Sequence, residues 1–187
     1  MNGSSYLNNQ FLIAMPNLGD PNFFHTVTYI CQHSDQGALG IVINRPAEMQ
    51  LGEVFKQMKI EPSHAESNDL PVFSGGPVQP ERGFVIHTPG ESWDSTLIVS
   101  EEIALTTSRD ILEALATGRG PDKVLIALGY AGWGEGQLEK EIMQNAWLNT
   151  PCELRILFDL PVSQRWNAAA EQLGIDINLM TTPAGHG

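Results

Sequence analysis

Apolar residues in this chain fall into short runs whose spacing alternates between that of a strand and that of a helix. Runs rich in β-branched and aromatic residues, bounded by Gly, Pro, Asn and Asp, predict strands at Phe11–Ala14, Thr26–His33, Leu39–Asn44 and Val72–Phe73. The same pattern predicts strands at Gly83–His87, Leu97–Val99, Val124–Tyr130 and Glu153–Phe158. Ile111, Leu112 and Leu115 share a helical face, which predicts a helix over about Ser108–Thr117 with Thr106 or Thr107 as N-cap and Gly118 as the stop. A second helix is predicted from about Glu135 to Trp147. A third begins after Ser163 and sets Trp166, Ala169, Ala170 and Leu173 at i, i+3, i+4 and i+7 before Gly174. Leu51–Met58 predicts a further helix, and the polar run Glu61–Leu70, opened by Pro62, reads as a surface excursion. Hairpin-like strands early and mixed β and α elements later indicate an α+β fold rather than a regular βαβ repeat. No repeat, low-complexity tract or linker divides the chain, so residues 1–187 read as one domain.

Charge narrows the functional classes. The formal net charge is −12, from 10 Lys+Arg against 22 Asp+Glu, and both halves of the chain are acidic. Phosphate neutralisation supplies most non-specific affinity for nucleic acid, so direct nucleic-acid binding is not expected. An anionic membrane surface is disfavoured for the same reason. The two cysteines, Cys31 and Cys152, have neither C-x-x-C nor zinc spacing, and the N-terminus lacks the basic and apolar regions of a signal peptide. A reducing, cytoplasmic setting follows, with both thiols unpaired and no metal or cofactor expected.

The richest segment is Val124–Glu141. An apolar run enters a turn with Gly129, Gly132, Gly134 and Gly136, carries Trp133 inside it, and leaves on a helical pattern. Strand, glycine turn and helix together are the layout of an anion cradle. The glycines do not match G-x-G-x-x-G, no Gly-Lys-Ser/Thr follows, and Glu135, Glu139 and Glu141 would repel phosphate. Close backbone packing is therefore the favoured reading of the glycines. Ser74-Gly75-Gly76-Pro77-Val78, leading to Arg82–His87, is a second glycine-dense turn feeding a strand. Arg82 has the geometry to meet a carboxylate bidentately, in a ligand or in an internal ion pair. Asn44-Arg45-Pro46 ends an apolar strand, where Asn44 suits a site or a turn cap. Cys31 and His33, two apart, are expected on one strand face, though without a third or fourth metal ligand. A buried structural cysteine is favoured there.

Several of these blocks carry a resemblance. Phe11–Pro16, Asp20–Phe23, Tyr29–His33, Gly37–Pro46, Gly75–Val78, Arg82–His87 and Gly129–Glu141, with Trp147-Leu148 and Gly185-His186, look like the YqgE/AlgH family over about residues 6–187. The resemblance implies an α+β fold with a bifurcated, mixed and largely antiparallel sheet curled into a pseudo-barrel and three or four flanking helices. It implies no particular activity, and members are often labelled transcriptional regulators.

Three functions are open. The first is a non-enzymatic regulatory module binding a small molecule or a protein, since no nucleophile–base pair or metal set is evident. The second is an enzyme acting on a small molecule, with Arg82 as anion clamp, Glu141 and His87 as acid/base candidates, and Asn44 orienting. The third is a regulator acting directly on DNA, which the charge opposes. The binding or enzymatic reading predicts that Asn44, Arg45, Gly75, Gly76, Arg82, Trp133, Gln137 and Glu141 gather around one concave surface. Gln137 and Glu141, four apart, share a helix face, with Leu138, Ile142 and Ala146 adjacent and apolar. An ion-paired structural seam is the alternative.

Overall fold

The computed structural model describes residues 6–15 and 25–174; the blocks Asp20–Phe23 and Gly185-His186 lie outside them. The early strands are β1 (Gln10–Ala14), β2 (Val27–Ser34), β3 (Gly37–Val42), β4 (Pro46–Gln50) and β5 (Pro71–Ser74), with helix α1 at Leu51–Met58. Next come β6 (Val78–His87), β7 (Thr96–Ile98), β8 (Ala104–Thr106) and α2 (Arg109–Ala116). The chain continues through β9 (Val124–Trp133), α3 (Gln137–Met143), β10 (Trp147–Pro151) and α4 (Val162–Glu171). A 3₁₀ turn occupies Ala65–Asp69, inside the predicted surface excursion.

β9 is the spine. Strands run in the order β10-β1-β2-β3-β9-β6-β8-β7, and β5 branches from β9 carrying β4. Along one edge of β9, β5 pairs in parallel with Ile126–Leu128, and β3 then pairs antiparallel with Ala131–Trp133. Two strands thus take successive halves of one edge while β6 holds the other. This fork is the bifurcation, and the mixed α+β, curled sheet is the architecture that the resemblance implies.

Sheet alternation sorts apolar side chains to two faces. Phe11, Tyr29, Ile41, Phe73, Phe84, Ile86 and Ala127 point inside the curl, where Trp166, Ala169 and Ala170 of α4 close it. Outside, Val72, Val85 and Ile126 meet α1 and α2. Leu12, Ile30 and Ala131 meet Leu138 of α3 together with Trp133 and Trp147. With both faces covered, the central strands read as continuous apolar runs. Each large side chain buried this way contributes on the order of 1.5–3 kcal/mol before entropy is counted.

Four local expectations are corrected. Glu153–Phe158 is not a strand: Arg155–Asp159 makes one π-helical turn, because its short apolar run buries Ile156 and Leu157 side by side. The helix expected to reach Trp147 stops at Met143. There Asn145 turns left-handed at φ +63°, and Asn145 and Ala146 donate to Ile142 and Glu141 carbonyls at 3.0 Å, a Schellman stop that releases Trp147 into β10. The residue flanking α2 is Ser108 rather than a threonine. Leu173, expected in the α4 stripe, is 37% exposed, since α4 ends at Glu171 before that turn reaches the sheet.

Candidate functional site

The two glycine turns meet at the fork. Gly75 donates to the Leu128 carbonyl and accepts from the Val42 amide, both at 2.8 Å, so one residue ties β3 to β9 where the edge changes hands. A Cβ at Gly75 would overlap the Gly129 carbonyl, one at Gly76 the Tyr130 carbonyl, and one at Gly129 (φ +81°) the Gly76 carbonyl. Backbone fills this junction. Gly75, Gly76 and Gly129 form a seam, whereas a Cβ at Gly136 meets nothing within 4 Å.

Beyond the seam, Trp133, Gln137 and Glu141 come together as expected, joined by Trp147. Glu141 Oε1 accepts from Trp133 Nε1 and Trp147 Nε1, each at 2.9 Å, and Oε2 accepts from Gln137 Nε2 at 2.9 Å. The two indoles meet edge to face at 5.9 Å. Gln137 Oε1 in turn accepts the Gly134 amide at 2.9 Å. This half-buried carboxylate satisfies two buried indole N–H groups, a bracing role for α3 that charge-assisted hydrogen bonds suit well. The helical pattern that runs to Trp147 carries no signal of its part in this brace, because the partner lies one element earlier in α3.

The other expected site residues sit elsewhere. Asn44 Oδ1 accepts the Val27 amide at 2.9 Å and its Nδ2 donates to the His25 carbonyl at 3.0 Å, pinning the start of β2. The Arg45 carbonyl accepts from Ser74 at 2.8 Å, supporting β5. Arg82 is exposed: it lies 5.4 Å over the Phe84 ring and donates to Gln79 Oε1 at 3.4 Å, and it makes no bond to Glu141. His87 is buried. Its Nδ1–H donates to the Thr88 carbonyl at 2.8 Å, so Nε2 accepts the Thr106 hydroxyl at 2.7 Å. Desolvation pushes the His87 pKa below the ordinary histidine value, which the backbone hydrogen bond only partly offsets. Cys31 and His33 do not share an environment, because the ladder slips between Ile30 and Gln32. Cys31 packs inside the curl, whereas His33 accepts the Leu7 amide at 2.9 Å and faces Glu139 at 3.2 Å. Burial raises the Cys31 thiol well above its usual range and pushes Cys152 up to about 12, so neither is a ready thiolate.

Arg165 was not singled out from sequence. It is 6% exposed, donates to the Ile43 and Leu160 carbonyls and lies 5.2 Å over the Phe73 ring, fastening α4 to the end of β3. An arginine beside Trp166 in an apolar stripe was the available signal.

Two hollows remain. One is an open groove of about 530 Å³ beside the β2–β3 hairpin, walled by Gln32, Gln36, Tyr130, Gly132 and Trp133. The other is a more enclosed pocket of about 240 Å³ between α1, α2 and the outer face of β6 and β9. Val54, Met58, Val85, Leu112, Ile126 and Leu128 line it, with Gln57, Glu81, Thr107 and Arg109 among its polar lining residues. Gly83 belongs to this wall, and a Cβ built there meets nothing within 4 Å.

The AlgH-like family model matches residues 11–178 of the chain. The protein belongs to the AlgH-like family. A UPF0301 protein of Methylococcus capsulatus is 58% identical over 184 residues, covering 98% of each chain. One of Thioalkalivibrio sulfidiphilus is 60% identical over 186 residues, covering 100% of each. The solution structure of the AlgH protein from Pseudomonas aeruginosa superposes with a TM-score of 0.81 at 50% identity over 100% of both chains. A Corynebacterium diphtheriae protein at 15% identity, covering 97% of this chain and 95% of its own, shares the fold with a TM-score of 0.75. No helix among the described residues is long and apolar enough to cross a membrane.

Proposed function

We propose that this AlgH-like protein is a binding module rather than an enzyme, and that a small molecule lodges in the pocket between α1, α2 and β6. Gly83 carries the reading. A glycine inside a strand weakens it and leaves nothing to pack, so it needs a compensating reason. Gly75 and Gly129 have one in the backbone they touch, whereas Gly83 faces open space along the pocket wall. A largely apolar hollow with a few polar rim groups is the usual form of a small-molecule site.

Less supports the enzymatic reading. Glu141 is engaged by two indoles and an amide, His87 is held between Thr88 and Thr106, and Arg82 lies on Phe84, so the three candidates have separate partners. We assign Asn44, Arg45, Gly75 and Gly76 to support of the fork, and Trp133, Gln137 and Glu141 to the bracing of α3. Any regulatory role then follows from pocket occupancy rather than from contact with DNA, which the charge of −12 opposes. The two unpaired thiols suit a cytoplasmic setting. A thermal-shift screen of apolar-bodied metabolites tests the proposal, since a ligand that binds only the folded state raises Tm. Hits should stabilise the wild type and lose their effect in Gly83→Val; hits that survive this substitution place the binding elsewhere.

A further inference from the structure

Resting on that pocket reading, we infer that the ligand is a small amphiphilic cation, an apolar body bearing an ammonium group. Val54, Met58, Val85, Leu112, Ile126 and Leu128 give the pocket a mainly hydrocarbon surface, which suits an apolar body. Six lining residues are polar, and the two charged ones, Glu81 and Arg109, are unequally satisfied. Arg109 is neutralised by Glu113 at 3.0 Å. Asp110, beside it at the start of α2, accepts from the Asp94 amide at 2.8 Å and the Ser108 hydroxyl at 2.6 Å. Glu81 is different. It lines the pocket two residues before Gly83, and its carboxylate has no hydrogen bond or ion pair among the described residues. The one charge left unengaged at the pocket is therefore negative, on a protein whose net charge of −12 already draws cations toward it. A carboxylate ligand would meet Glu81 and an arginine already paired. An ammonium finds a free partner.

A matched series of hexylammonium, hexanol and hexanoate, titrated at low salt by calorimetry with amide-shift mapping, tests this. The wild type should bind hexylammonium most tightly, hexanol next and hexanoate least. Glu81→Gln should erase the ammonium advantage over hexanol, about threefold to fivefold for an exposed pair, while leaving hexanol unchanged. Added salt should shrink the same advantage. Gly83→Val should weaken all three; Met58→Phe serves as a second filling variant should that protein not fold. Equal binding of the three probes, or an ammonium preference that persists in Glu81→Gln, overturns the cationic ligand while the pocket survives if filling blocks binding. Binding that neither filling variant alters, or no binding of any probe, overturns the pocket reading itself.

Discussion

Gly75, Gly76 and Gly129 sit where backbones of three strands touch, and a side chain on any of them would strike a carbonyl. Gly83 sits in β6 with nothing within 4 Å of where its side chain would be. The same residue type thus serves opposite ends in two regions of one sheet. At the fork its absent side chain lets polypeptide approach polypeptide. At the pocket its absent side chain leaves a void. Density of glycine along the sequence marks the first and not the second, although a Cβ would find space only at the second. Conspicuous glycine clusters report packing as readily as chemistry, and the distinction lies in what each missing Cβ would meet.

Substitution should separate the two regions by sign as well as size. Gly129→Ala combines a left-handed backbone with overlap onto the Gly76 carbonyl, and should cost about 2–5 kcal/mol in denaturant melts. A loss below about 1 kcal/mol would mean that the seam is looser than described. Glu141→Ala leaves the Trp133 and Trp147 indoles without their acceptor and should cost roughly 2–3 kcal/mol. A variant of unchanged stability would instead return Glu141 to the list of functional groups. Gly83→Val is expected to move the other way. A β-branched residue suits a strand, so the change should be neutral or stabilising by about 0.5–1 kcal/mol. Destabilisation beyond about 2 kcal/mol would show that no space stands over Gly83.

The smallest effect is a pH dependence near the pocket wall, where Thr106 lines the hollow and holds His87. The pKa of His87 is depressed in the folded protein, so the unfolded chain binds more protons below its ordinary pKa of about 6.5. Stability is therefore complete above that pH and falls on acidification through the window beneath it. His87→Gln should flatten this slope below about pH 6.5 in chemical melts. An unaltered slope would show that the buried ring does not supply it.

Much of the scaffold was legible because it rests on local spacing. Ile111, Leu112 and Leu115 announce α2, and the β-branched and aromatic runs at Phe11–Ala14 and Thr26–His33 announce β1 and β2. What was illegible depends on partners distant in sequence. Nothing near Gly75 reveals that Gly129 will face it, and nothing near Trp147 reveals that Glu141 will accept its indole. Asn145 was a readable stop, yet the helical pattern on either side outweighed it. The pocket was hidden for the same reason: α1, α2 and β6 are separate elements, and Gly83 looked only like the start of a strand.

The central claim is that the pocket beside Gly83 is open to ligand while the seam of Gly75, Gly76 and Gly129 is closed by its own backbone. Amide-shift mapping of the labelled protein with saturating hexylammonium tests it directly. The largest changes are expected at Gly83, Val85, Leu112 and Ile126, with Gly75, Gly76 and Gly129 silent. Changes concentrated on Gly75, Gly76 and Gly129, with Gly83 unmoved, would contradict it.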